Sequence, residues 1–226
     1  RERSVDVDWV LDNVALIISL SLDHLRLSVI PIAMGFLVSL PLGWYAHRYA
    51  WSRGIVLTTV GLLYTVPSLA LFMLLPPVLG ISMLSQTNVL VALSLYAAAI
   101  MVRNAADAFA SIDPAALRAA TALGYAEWGR FFAVELPLAG PVLVAGLRVV
   151  AVSTVSLVTV GVLVGVPSLG YFFTDGFQRR IVPEVATGVI MTFLVAMALD
   201  AVLVLVGRIL LPWSHLAIAS TVSQRS

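Results

Sequence analysis

The residues best equipped for chemistry are scattered along this chain. His24, His47 and His215 lie far apart with no HExxH spacing, and cysteine is absent, so local sequence assembles neither a metal site nor a thiolate nucleophile. No GxSxG turn occurs, and Asp6 and Asp8 sit in a polar stretch without a histidine to pair with. All 13 basic residues are arginine. Without lysine there is no GxxxxGK[ST] phosphate loop, no Schiff base and no lysine general base. No catalytic residue and no metal ligand is therefore assigned. If the protein uses ATP, another chain binds it.

What remains is polar chemistry inside apolar segments. An ionisable side chain deep in a bilayer is costly unless it is paired or wet. Arg148 and Asp200 each fall about 15 Å from the same end of two antiparallel apolar stretches, at 1.5 Å per residue, so the sequence predicts an Arg148–Asp200 ion pair. Two roles stand open for it: a gate that changes partner between states, or a static brace. Ser153, Ser156 and Thr159, with Thr154, form a polar patch that can line a pathway or bond to its own backbone. Tyr64, Pro67 and Ser68 interrupt another apolar stretch, where tyrosine and freed carbonyls suit a cationic amine. Arg103 and Asp107, four apart, are expected to pair on one helix face. Gly161 and Gly165 have the GxxxG spacing of close helix contacts.

The elements that position these groups are membrane spans. Hydrophobic residues make up 61% of the 226 and charged residues 11%, with mean hydropathy +1.03. A soluble domain of this size needs far more polar surface. The net charge of +1 removes a nucleic-acid reading. Five stretches are long enough to cross about 30 Å of hydrocarbon: Leu25–Tyr45, Ile55–Leu79, Asn88–Ala106, Leu138–Val164 and Val185–Leu211. Residues 1–24, with five acidic side chains and an apolar run from Val14 to Leu22 too short to span, read as an extracytoplasmic or interfacial lead-in without the features of a secretory leader. Residues 25–212 read as the transmembrane domain and 213–226 as a cytoplasmic tail. Arginines mark the cytoplasmic side: Arg48 and Arg53 follow span one, Arg118 and Arg130 lie between spans three and four, and Arg103 falls near the end of span three. Arg179 and Arg180 run against that vote. The N-terminus is then outside and the C-terminus inside, and Trp44, Trp51 and Trp213 fall at the cytoplasmic boundary.

The segment from Asp113 to Pro141 is the polar interruption between these spans. Asp113 followed by Pro114 starts a helix, because the carboxylate caps free N–H groups and proline tolerates the first helical position. Alanine and leucine carry that helix to Leu123, Gly124 permits a reversal, and a second helical piece runs from about Ala126 to Glu135. Ala119 and Ala120 allow close approach by a partner surface, and Leu117, Leu123, Tyr125 and Trp128 offer apolar knobs.

The pattern AAxxxGxxxxxxFxxVxLP, Ala119–Ala120 through Gly124, Phe131, Val134 and Leu136–Pro137, resembles the EAA loop of permease subunits of binding-protein-dependent ABC importers. HLRLS at 24–28, LPLGW at 40–44, TVPSLALF at 65–72, VELPLAGPVLVAGLR at 134–148 and VGVPSLG at 164–170 resemble the osmoprotectant branch, which handles glycine betaine, choline and carnitine. The resemblance implies an all-α integral membrane protein with the five-span, methionine-importer-like permease fold. It implies a cytoplasmic coupling helix that seats in a partner ATPase through Asp113, Pro114, Leu117, Arg118, Ala119, Ala120, Gly124 and Tyr125. ATP and magnesium would be bound by that ATPase and not by this chain. The other implied partners are a second permease, copy or homologue, and an extracytoplasmic substrate-binding protein, in a bacterial inner membrane. Arg118 stands where the family usually has the loop glutamate. The competing reading is a secondary transporter or channel driven by an ion gradient, which predicts an inverted repeat not evident in five unequal spans.

Overall fold

A computed structural model describes residues 8–213, and their regular elements are helical. Helix α1 (Val14–Arg48) leads into a broken pair, α2 (Ala50–Thr65) and α3 (Ser68–Leu79). Helix α4 (Gln86–Ala110) follows, then a hairpin of α5 (Pro114–Ala122) and α6 (Glu127–Arg130). A π-helical turn (Phe131–Glu135) carries α6 directly into α7 (Leu136–Val158), which tightens into a 3₁₀ segment (Thr159–Val164). Helices α8 (Gly170–Arg179) and α9 (Val182–Leu210) complete the described chain.

Four helical runs are long and apolar enough to cross a membrane: Val14–Arg48, Gln86–Ala110, Glu127–Val164 and Val182–Leu210. The bent pair α2 and α3 makes a fifth if counted as one span. Two boundaries differ from the sequence expectation. Helix α1 starts at Val14, not near Leu25, because the apolar run 14–22 continues in helical register into the span; its 35 residues measure about 50 Å. The second stretch, read as one span interrupted at Pro67, is two helices 106° apart. Pro67 offers no N–H and pushes Val66 into extended backbone at φ −65° and ψ 128°, which ends α2. The piece expected as a separate helix over 126–135 is instead the start of one 38-residue run. Pro137 cannot donate, and the π turn absorbs the mismatch with the Leu136 N–H bonding back to Phe131.

Helix α4 is the centre of the molecule, with 56% of its most apolar window buried, against none for α9. Its closest neighbour is α1, brought in by small residues. A Cβ built on Gly35 would lie 2.6 Å from the Ala97 Cβ, and one on Gly43 2.5 Å from the Ala105 Cβ. Between them Ser39 is fully buried and bonds back to the Phe36 carbonyl at 2.8 Å. Around this seam Met101, Phe109, Phe131, Leu143 and Val150 form one apolar cluster. A second gathers Phe72, Leu93, Tyr96 and Val158. The GxxxG reading of Gly161 and Gly165 gives way. Gly165 at φ +76° ends the 3₁₀ segment, and Gly161 packs on Val89 of the same chain.

Helix α4 also satisfies the backbone freed by the broken pair. The Tyr96 hydroxyl donates to the Val66 carbonyl, and Asn88 Nδ2 donates to the carbonyls of Phe72 and Met83 at 2.8 and 3.0 Å. Buried His24 performs the same service between α1, α7 and the loop before α8. Its Nε2 bonds the Val155 carbonyl at 3.0 Å and its Nδ1 accepts the Leu169 N–H at 3.3 Å, which assigns the Nε2-H tautomer. Asp107 pairs not with Arg103 but with Arg53, at 3.0 Å, and so pins the α1–α2 connection to the end of α4. The local four-residue spacing loses here to a tertiary partner.

Candidate functional site

The α5–α6 hairpin is built by local chemistry. The Asp113 carboxylate accepts the Ala115 N–H at 2.8 Å, and Pro114 occupies the first turn. The helix stops after Ala122, and Gly124 at φ +86° reverses the chain, its N–H on Thr121 and the Tyr125 N–H on Ala120. A Cβ on Gly124 would touch nothing within 4 Å, so only the left-handed backbone requires glycine there. Arg118, Ala119, Leu123, Tyr125 and Trp128 are exposed, Leu123 by 79%. Two residues expected on the docking face turn the other way. Ala120 is buried, and Leu117 packs against the apolar cluster around Phe109. The outward surface therefore carries apolar knobs beside Arg118, with Asp113 and Glu127 also exposed.

Behind that surface lies a polar joint that sequence reasoning missed. Glu135 is buried, with one oxygen accepting Arg130 Nε at 2.7 Å and the other accepting Trp44 Nε1 at 2.7 Å. Arg130 also donates to the Thr121 hydroxyl of α5 at 3.0 Å. The Trp44 ring stacks on Trp128 with centroids 5.9 Å apart and meets Phe131 edge-on at 5.5 Å, while Arg48 and Glu127 pair at 3.3 Å. Trp44 is thus a half-buried residue packed against the hairpin. The signal available in sequence was a lone glutamate in the apolar run Phe131–Leu138, two residues before a proline. Such a group must find partners.

Within the spans, Arg148 of α7 and Asp200 of α9 form a two-pronged pair, Nε to Oδ1 at 2.6 Å and the second nitrogen to Oδ2 at 2.8 Å. Their side chains remain 45% and 31% exposed on otherwise apolar helices. Ser156 is exposed and Ser153 half-buried, while Thr159 donates to the Ser156 carbonyl at 2.6 Å. Tyr64 is half-exposed at the end of α2, its ring edge-on to Tyr96 at 6.1 Å. Pro67 and Ser68 lie at the bend beside it. The structure brings Arg148 to Asp200 and Tyr64 to the bend, but it does not gather all these groups into one pocket.

The helical arrangement of the described residues, with four apolar helices and a bent pair, has a counterpart among solved structures. A chain of the inward-facing MetNI methionine ABC transporter superposes with a TM-score of 0.71 at 22% identity, covering 87% of this chain and 95% of that one. The chain belongs to the binding-protein-dependent transport system inner membrane component family, whose model matches residues 32–215. It is 30% identical to the osmoprotectant import permease protein OsmW of Salmonella typhimurium, over 86% of this chain and 91% of the relative. It is 31% identical to the glycine betaine/carnitine/choline transport system permease protein OpuCD of Bacillus subtilis, over 84% and 82%. The chain is therefore a transport component of an ABC importer, not an enzyme, and its membrane is the inner membrane. The ion-gradient alternative falls with that assignment.

Proposed function

We propose that this chain forms the translocation pathway of an importer for osmoprotectant quaternary amines such as glycine betaine, choline or carnitine. The substrate class rests on the relatives, one named as an osmoprotectant import permease and the other as a glycine betaine/carnitine/choline permease. The observation that carries the coupling role is the α5–α6 hairpin, whose exposed Arg118, Leu123, Tyr125 and Trp128 stand at one end of the molecule on a brace of buried polar bonds. That surface is the seat for a separate ATPase, which binds ATP and magnesium. A substrate-binding protein delivers the amine at the opposite end.

Orientation follows from charge. Arg48, Arg53 and Arg130 lie at the hairpin end, joined there by Glu127, Asp107 and Glu135, and the end of α9 returns to the same side, where Leu211 packs on Gly140. The start of α1 lies at the other end, beside α8, with Ile17 and Leu20 against Phe172. This supports a hairpin in the cytoplasm and an N-terminus outside; residues 214–226 lie outside the described chain. A second permease, copy or homologue, covers the apolar face of α9 and the half-exposed Arg148–Asp200 pair, and Tyr64, Pro67, Ser68, Ser153, Ser156 and Thr159 are candidate pathway positions.

The test is uptake by proteoliposomes holding this chain with its ATPase and binding protein. ATP-dependent accumulation of radiolabelled glycine betaine, choline or carnitine is the expected result. Accumulation driven by an ion gradient without ATP, or of none of the three amines, would overturn the reading.

A further inference from the structure

We propose that Glu135 is a positioning residue that makes the coupling hairpin and the hairpin-side end of α1 move as one rigid body. This rests on the reading of the hairpin as the ATPase seat. One chain of bonds crosses three elements: Trp44 of α1 to Glu135, Glu135 to Arg130, and Arg130 to Thr121 of α5. Each carboxylate oxygen has its own donor at 2.7 Å, and the group is 4% exposed, so neither bond is diluted by water. In an α-helix residues five apart diverge by about 140°. The π turn over Phe131–Glu135 brings Arg130 and Glu135 onto one face, so the local distortion and the ion pair specify each other. The stacked Trp44–Trp128 rings and the Arg48–Glu127 pair add contacts on the same side of the hairpin.

The consequence concerns transmission. A displacement imposed on α5 reaches α7 covalently through α6, and this joint, with the ring and ion-pair contacts beside it, ties it directly to α1 by polar bonds. Helix α1 is seated on α4 by the Gly35 and Gly43 contacts, so the joint delivers the motion to the centre of the molecule. Loosening it leaves the ATPase docked and turning over while less of each stroke arrives at the spans.

The experiment uses the complete importer in proteoliposomes, measuring ATP hydrolysis and substrate uptake together. Trp44→Phe keeps the ring and removes the N–H donor; Glu135→Gln keeps the shape and removes the charge. Both are expected to retain the ATPase on co-purification and to lose about two- to thirty-fold in substrate moved per ATP. An unchanged ratio in both, with the complex intact, would overturn the proposal, as would loss of the ATPase from either variant, since the joint would then serve docking and not transmission. The chain has no cysteine, so Arg48→Cys/Glu127→Cys joined by a short bismaleimide gives an independent arm. A rigid unit keeps its uptake when cross-linked, and a hinge there loses it. If the unsubstituted chain brings down no ATPase, the hairpin reading itself has failed.

Discussion

At the scale of single residues, Gly124 and Gly170 separate two reasons a position needs glycine. Gly124 sits at φ +86° in open space, so an added Cβ meets no atom but the backbone is in a region where side chains are disfavoured by about 1–2 kcal/mol. Gly170 has no such backbone, but a Cβ there would run into the carbonyl oxygen of Thr159, a backbone atom of the 3₁₀ segment. Gly124→Ala should therefore lower thermal stability in detergent slightly, and Gly170→Ala should lower it much more or abolish folded protein. The reverse order, read by fluorescence-detected size exclusion over a temperature series, would contradict both assignments. The histidines make a related point. Their scatter in the sequence already argued against a metal site, but that His24 spends both ring nitrogens on Val155 and Leu169 is a fact of three-dimensional packing.

At the scale of elements, the seam between α1 and α4 sets the fold. Gly43→Leu would drive a branched side chain into Ala105 and the Ala106 backbone, where no flexible group can yield. The expected result is loss of monodisperse protein at unchanged expression, while Gly54→Leu, which faces open space on α2, behaves as the unsubstituted chain. Equal behaviour of the two would contradict the seam. Much of the element structure was legible because it is written in short-range chemistry: Asp113–Pro114 starts α5, Gly124 reverses the chain, and Val66–Pro67 breaks a span. The pairings between elements were not legible, since they depend on which faces meet. Asp107 has an arginine four residues away yet takes Arg53, and Gly35 and Gly43, eight apart, make the close contact that Gly161 and Gly165 advertise. The partners of Glu135 were illegible for the same reason, since its donors Trp44 and Arg130 are supplied by different helices.

At the scale of the whole molecule, α9 and the Arg148–Asp200 pair are the surfaces on which the proposed second permease rests. None of the most apolar window of α9 is buried, and a two-pronged ion pair stands half-exposed between apolar helices. Asp200→Asn alone leaves the Arg148 guanidinium without its counter-charge, whereas Arg148→Gln/Asp200→Asn removes both charges. The double variant is expected to be more stable than Asp200→Asn by thermal unfolding. If it also transports at the full rate, the pair is a static brace; if it assembles normally but transports poorly, the pair gates. The central claim, that the hairpin seats an ATPase, is tested most directly by purifying this chain from native membranes in mild detergent and identifying what accompanies it, in parallel with Gly124→Pro. Proline fixes φ near −65° and removes the N–H that bonds Thr121, so it destroys the reversal without touching the spans. The account predicts an ATPase with the unsubstituted chain and its loss from the variant. An ATPase retained equally by both, or absent from both, would contradict it.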